Sequence, residues 1–139
     1  MFCKLVQKKA PASLAYEDED TAVLMDTNPI ATGHVLVVPK RHSRDLFEID
    51  EDSLQKTVST ARLVARAMKR ALAADGVNLL NASGRAAEQS VFHFHIHVIP
   101  RWEGDKTSLW DWWYPKIKER KREELDQLAD KIRRACSEA

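Results

Sequence analysis

The stretch HFHIHVIPR, His93–Arg101, sets a histidine at every second position of an otherwise apolar run. Successive side chains of a β-strand point to opposite faces, so His93, His95 and His97 share one face. Phe92, Phe94, Ile96 and Val98 take the other. The alternation predicts a strand with an apolar back in the core and three imidazoles in front.

Three readings compete for those imidazoles. A wet strand face needs no purpose for a histidine, but three at strict alternation are hard to assign to solvation alone. A His-x-His pair can chelate zinc, yet no HExxH helix is present and Glu88 is the one acidic residue close by in sequence. The third reading is phosphoryl chemistry. Alternate residues on one face lie about 6.7 Å apart, where two imidazolium charges repel by roughly 2.5 kcal/mol at an effective dielectric of 20. Such a cluster avoids three protons at neutral pH. A neutral imidazole can then act as nucleophile while its neighbours donate hydrogen bonds to the anion. Asn81, Ser83, Gln89, Ser90 and the Gly84 backbone supply further donors, and phosphoryl chemistry is the favoured reading.

Outward from this strand, the chain divides into short elements. Leu14–Tyr16 and Ala22–Asp26 form a hairpin around the acidic turn Glu17–Asp20. A breaker-rich loop, TNPIATG, leads to the strand HVLVVP, which stops at Pro39. Asp50, Asp52 and Ser53 are candidate N-caps of a long helix. Its apolar stripe is Leu54, Val58, Ala61, Ala65, Met68 and Leu72, and Gly76 ends it. VNLLNA is a short strand and SGRAAEQ a polar loop before the histidine strand. A second helical stretch begins at Pro115 and carries Ile117, Leu125, Leu128 and Ile132. The order predicts an α+β domain, an antiparallel meander with helices on one face.

At 139 residues the chain suits a single domain, 1–139, with its core in 1–102 and a Trp-rich segment and helix over 108–136. A formal charge of +1 argues against a nucleic-acid polymer as partner. No signal-like start and no membrane-length apolar run are present. Cys3 and Cys136 make no disulfide framework, so the cytoplasm is the expected compartment.

QSVFHFHIHVIPR resembles the histidine-triad (HIT) family. VLMDTNPIATGHVLVVPKRH, Val23–His42, is similar to that family's preceding segment, and NASGRAAEQ extends the likeness over most of residues 1–102. The resemblance implies a homodimeric HIT-like fold paired on a two-fold axis. It also implies a hydrolase acting at the α-phosphate of a purine nucleoside phosphoramidate or dinucleoside polyphosphate. In its terms His95 is the nucleophile, forming a nucleotidyl-histidine, and His97 binds phosphate and assists the leaving group. His93 and His34 hold the tautomers. Asp26 binds ribose hydroxyls, Asn81, Gln89 and Ser90 contact phosphate and ribose, and Phe2, Leu5 and Leu24 form the slot for the base. No cofactor is implied. A nucleotidyl transferase or phosphorylase at the same site, or a nucleotide sensor with vestigial hydrolysis, are the alternatives.

Three departures stand out. Many members carry Cys-x-x-Cys, joined in a zinc site to histidines that correspond to His42 and His93. Here Cys3 stands alone, so no metal is expected. Glu88 occupies a position where glycine is common. SLWDWWYPK, with Trp110, Trp112, Trp113 and Tyr114, has no counterpart in the pattern and reads as a buried anchor for the last helix.

Overall fold

A computed structural model describes residues 2–6 and 12–138. A short helix α1 (Phe2–Val6) precedes strands β1 (Leu14–Glu17), β2 (Thr21–Met25) and β3 (Val35–Pro39). The long helix α2 (Glu51–Ala71) follows, then β4 (Gly76–Leu80), β5 (Ile96–Arg101), α3 (Leu109–Trp113) and α4 (Arg122–Glu138). The strands form one antiparallel sheet in the order β1-β2-β3-β5-β4. The first three run as a meander. The β4/β5 pair then inserts with its second strand innermost, so the histidine strand lies between two neighbours.

The alternation rule separates two apolar layers. Val23, Val35, Val37, Phe94, Ile96 and Val98 pack on Ala61, Val64 and Met68 of α2. The opposite set, Ala22, Leu24, Leu36 and Val38, is covered by Phe2 of α1. Helices therefore lie on both faces of the sheet, where the sequence suggests one. The five-residue α1 carries no periodicity from which it could be read.

Asp50 is the N-cap of α2, its carboxylate accepting from the Ser53 N–H. The helix ends at Leu72 rather than at Gly76, with Ala73 at φ 54° turning the chain. Within the expected stripe Ala61 and Met68 are buried, but Val58 is 47% exposed and Leu72 41% exposed. Thr57, Thr60 and Val64 take the inner arc instead. The threonines are admitted because their hydroxyls are bonded, Thr57 to the Ser53 carbonyl and Thr60 to Thr21.

The backbone divides into two compact units, Met1–Thr107 and Ser108–Ala139. In the second, α3 is capped by Ser108, and Pro115 sits in a single helical turn (Tyr114–Lys116) well before α4 begins. The aromatic group is not a buried anchor. Trp110, Trp112, Trp113 and Tyr114 are exposed, and the Trp110 ring lies tilted against those of Trp113 and Tyr114. No helix among the described residues is long and apolar enough to cross a membrane.

Candidate active site

The register lays Leu24, Leu36 and His97 across neighbouring strands, so β2, β3 and β5 present them on one face. This is the face that α1 covers. His97 lies within β5, whereas His93 and His95 precede the strand in an irregular approach. The approach is anchored where the Phe94 N–H donates to the Ser43 carbonyl (2.7 Å). Phe94, Ile96 and Val98 enter the core as the alternation requires, but Phe92 is 38% exposed because the regular strand has not yet begun.

His34 enters from the loop between β2 and β3. The Asp26 N–H donates to the His34 carbonyl, and Gly33 turns the chain at φ +90°. Glycine is required there by conformation, whereas the nearest atom to an added Cβ, Leu72 Cδ1 at 2.8 Å, ends a half-exposed side chain that can move aside.

The hydrogen bonds assign the tautomers. The Ile30 N–H donates to His34 Nδ1 (3.2 Å), which leaves the His34 proton on Nε2. That proton is donated to His97 Nδ1 across 2.9 Å, so His97 carries its own proton on Nε2. His95 Nδ1–H donates to the His93 carbonyl (2.8 Å), which leaves Nε2 as a bare lone pair. His93 Nε2–H donates to the Pro39 carbonyl (2.9 Å). One imidazole thus offers a nucleophilic nitrogen and its neighbour an N–H donor, with their rings 5.0 Å apart.

Burial lowers the pKa of His34, His93, His95 and His97. His97 falls furthest, to about 4, through burial first and then the nearby His95 and His34, with Asp26 opposing. Asp26 Oδ2 lies 3.4 Å from His34 Nε2 and 4.0 Å from His97 Nδ1. Its other oxygen accepts from the Asn28 N–H and shapes the loop. Asp26 therefore stands beside the histidine relay with one oxygen engaged in the turn.

Asn81 donates to the His95 carbonyl (2.9 Å) and accepts from the Ser83 hydroxyl, holding the backbone of His95. Gln89 is buried, accepting from the Gly84 N–H and donating to the carbonyls of Arg44 and Val91. Its amide closes the loop rather than facing the imidazoles. Ser90 is exposed. Phe2 and Leu24 are buried together, and the Phe2 ring meets the His95 ring edge-on at 4.9 Å. Leu5 lies in α1, with its side chain outside the described residues.

Sequence reasoning misses the groups that set the tautomers, because the Ile30 N–H and the His93 and Pro39 carbonyls are backbone atoms that no residue type announces. It also expects no metal, since Cys3 lacks a second cysteine. The structure brings Cys3 Sγ, His42 Nδ1 and His93 Nδ1 within 3.2–3.5 Å of one another. With the His93 proton held on Nε2 by Pro39, Nδ1 presents its lone pair to this cluster, and a thiolate with two imidazoles is a donor set that suits zinc. The residues fit such an ion.

The row of buried and half-buried histidines on an antiparallel α+β sheet has the arrangement of a histidine triad. The chain belongs to the HIT family: the HIT domain matches residues 7–104. An uncharacterized HIT-like protein of Methanocaldococcus jannaschii is 37% identical over 133 residues, covering 96% of this chain and 98% of that protein. Adenylylsulfatase HINT3 of Arabidopsis thaliana is 39% identical over 110 residues, 79% of this chain and 55% of the plant protein. A zinc-bound histidine-triad family protein of Mycobacterium smegmatis has 37% identity, with 93% of this chain and 94% of that one covered and a TM-score of 0.75.

Proposed function

We propose that this protein is a hydrolase of nucleotide conjugates that cleaves at the α-phosphate. The observation that carries it is the pairing of opposite tautomers: His95 with a free Nε2 lone pair, His97 with an N–H on Nε2. His95 Nε2 attacks the α-phosphorus, the bond to the leaving group breaks, and a nucleotidyl-histidine forms. His97 Nε2–H donates a hydrogen bond to the phosphoryl oxygens or to the departing atom, which takes its proton from solvent, while His34 holds His97 from behind. Water then opens the phosphorus–nitrogen bond, which returns His95 and releases the nucleoside monophosphate. The buried Phe2 and Leu24 supply an apolar wall, and Asp26 supplies a carboxylate oxygen for the ribose hydroxyls. The partner is a small nucleotide substrate.

The plant relative's name adds adenylyl sulfate to the substrates worth assaying beside adenosine and guanosine phosphoramidates and dinucleoside polyphosphates. An ion of zinc's class would be held by Cys3, His42 and His93, and the mycobacterial relative is itself zinc-bound. When bound it supplies a structural cross-link. The protein's own imidazoles carry the chemistry.

The test is turnover of that panel by the parent and by His95→Ala, with rapid neutral quench and mapping of the nucleotidyl adduct. We expect the adduct on His95 and no turnover by the variant. An adduct elsewhere, or an active variant, would refute the assignment.

A further inference from the structure

The reading of His95 as nucleophile and of Cys3, His42 and His93 as a metal cluster leaves Phe2 to be explained. Phe2 is 4% exposed, and its ring stands perpendicular to that of His95 at 4.9 Å and tilted to that of His93 at 5.8 Å. Edge-to-face contact at such a distance is close packing and fixes the tilt of both rings. The next residue, Cys3, reaches His42 and His93 with its sulfur. A helix of five residues is not stable alone, because nucleation costs more than one turn returns. α1 therefore takes its position from its contacts, which among the described residues include the buried Phe2 ring and the Cys3 junction.

His95 is held from two sides that converge on this junction. Its ring leans on Phe2, and its Nδ1–H is held by the carbonyl of His93, itself a member of the cluster. We infer that Phe2 is a positioning residue for His95, and that the ion held by Cys3, His42 and His93 fixes α1 so that Phe2 stays against that ring. The inference rests on the proposed reading of the site but concerns the pose of the nucleophile. Without the ion, or without the phenyl ring, His95 samples other tilts and both tautomers, and its lone pair is aimed correctly only part of the time.

The experiment uses the full chain, ¹⁵N-labelled at histidine, with Phe2→Ala, Phe2→Leu and Cys3→Ser. Cobalt(II) reports the cluster through its thiolate charge-transfer band, and ring ¹⁵N shifts report which His95 nitrogen carries the proton. We expect the parent to bind a single cobalt with that band and Cys3→Ser to lose it. The zinc-loaded parent should show His95 as one Nδ1–H tautomer. Chelated parent and Phe2→Ala should show a mixture, with kcat reduced roughly tenfold to a hundredfold; KM should stay within about twofold on chelation and rise in Phe2→Ala, which also loses part of the apolar wall. Phe2→Ala should keep the cobalt band, and Phe2→Leu should restore most of kcat.

A single tautomer and parental kcat in Phe2→Ala would overturn the role of Phe2. An absent thiolate band, or chelated protein that matches the loaded form in tautomer and kcat, would overturn the role of the ion. Failure of the hydrolase reading is seen separately, as activity surviving His95→Ala.

Discussion

His34 donates its Nε2–H to Nδ1 of His97 across 2.9 Å, and because the Ile30 N–H occupies the other His34 nitrogen, this direction is fixed. The proton that His97 shows to a ligand is therefore set by a residue that need not touch the ligand. In β3 and β5 the register places Val35, the residue after His34, opposite Val98, the residue after His97. The relay thus joins a residue within β5 to the loop residue that leads into β3.

The first consequence concerns leaving groups. His34→Ala frees His97 to place its proton on either nitrogen, so conjugates with amine leaving groups, which lean most on the His97 hydrogen bond as they depart, should lose about 10²-fold in kcat. KM should change little. A sulfate or polyphosphate leaving group needs less assistance and should lose less. Steady-state kinetics on both classes measure the difference, and equal losses would remove His34 from the relay.

Stability should depend on acid through His97. Its pKa drops from 6.5 to about 4 on folding, so between these values the unfolded chain binds more protons than the folded one. Stability is therefore unaffected by His97 above pH 6.5, falls as pH drops through that value, and has lost its full share by about 4. At 1.36 kcal/mol for each pKa unit, the share is about 3 kcal/mol at most. Thermal melts from pH 7 to 4.5 should fall more steeply for the parent than for His97→Gln. Parallel curves would show that His97 protonates freely in the fold.

Asp26→Asn tests the ribose contact. A carboxylate accepts hydroxyl protons through charge-assisted bonds, and the amide weakens them and adds a donor that needs a partner. Adenosine monophosphate should lose about 1–3 kcal/mol of affinity, and the 2′,3′-dideoxy analogue much less. Because Asp26 Oδ1 also accepts from the Asn28 N–H, a melt of the variant belongs beside the binding data. Equal loss for both ligands would assign Asp26 to the loop alone.

Glu88 sits at φ 67° and ψ 30°, the left-handed region, in the loop that Gln89 closes. A side chain there costs about 1–2 kcal/mol, from which glycine's extra freedom in the unfolded chain subtracts. Glu88→Gly should therefore stabilise by about 0.5–1 kcal/mol, read as a rise in Tm by calorimetry. An unchanged or lowered Tm would mean that the Glu88 side chain makes contacts that offset the strain.

The amino-acid order by itself determined what is local. Alternation at His93–Val98 assigned Phe94, Ile96 and Val98 to the core, the acidic start at Asp50 marked the long helix, and the ordered motifs identified the HIT family. Each depends on neighbours within a turn or a strand, where backbone geometry translates spacing into direction. The tertiary structure decided what depends on the path of the chain. Cys3, His42 and His93 meet although they are 39, 51 and 90 residues apart pairwise. Val58 faces solvent while Thr57 and Thr60 are buried, because the sheet selects which arc of α2 it covers. The tautomers of His34, His93 and His95 are set by the backbone groups of Ile30, Pro39 and His93. A peptide N–H or carbonyl is the same at every residue, so only its position in space gives it a role.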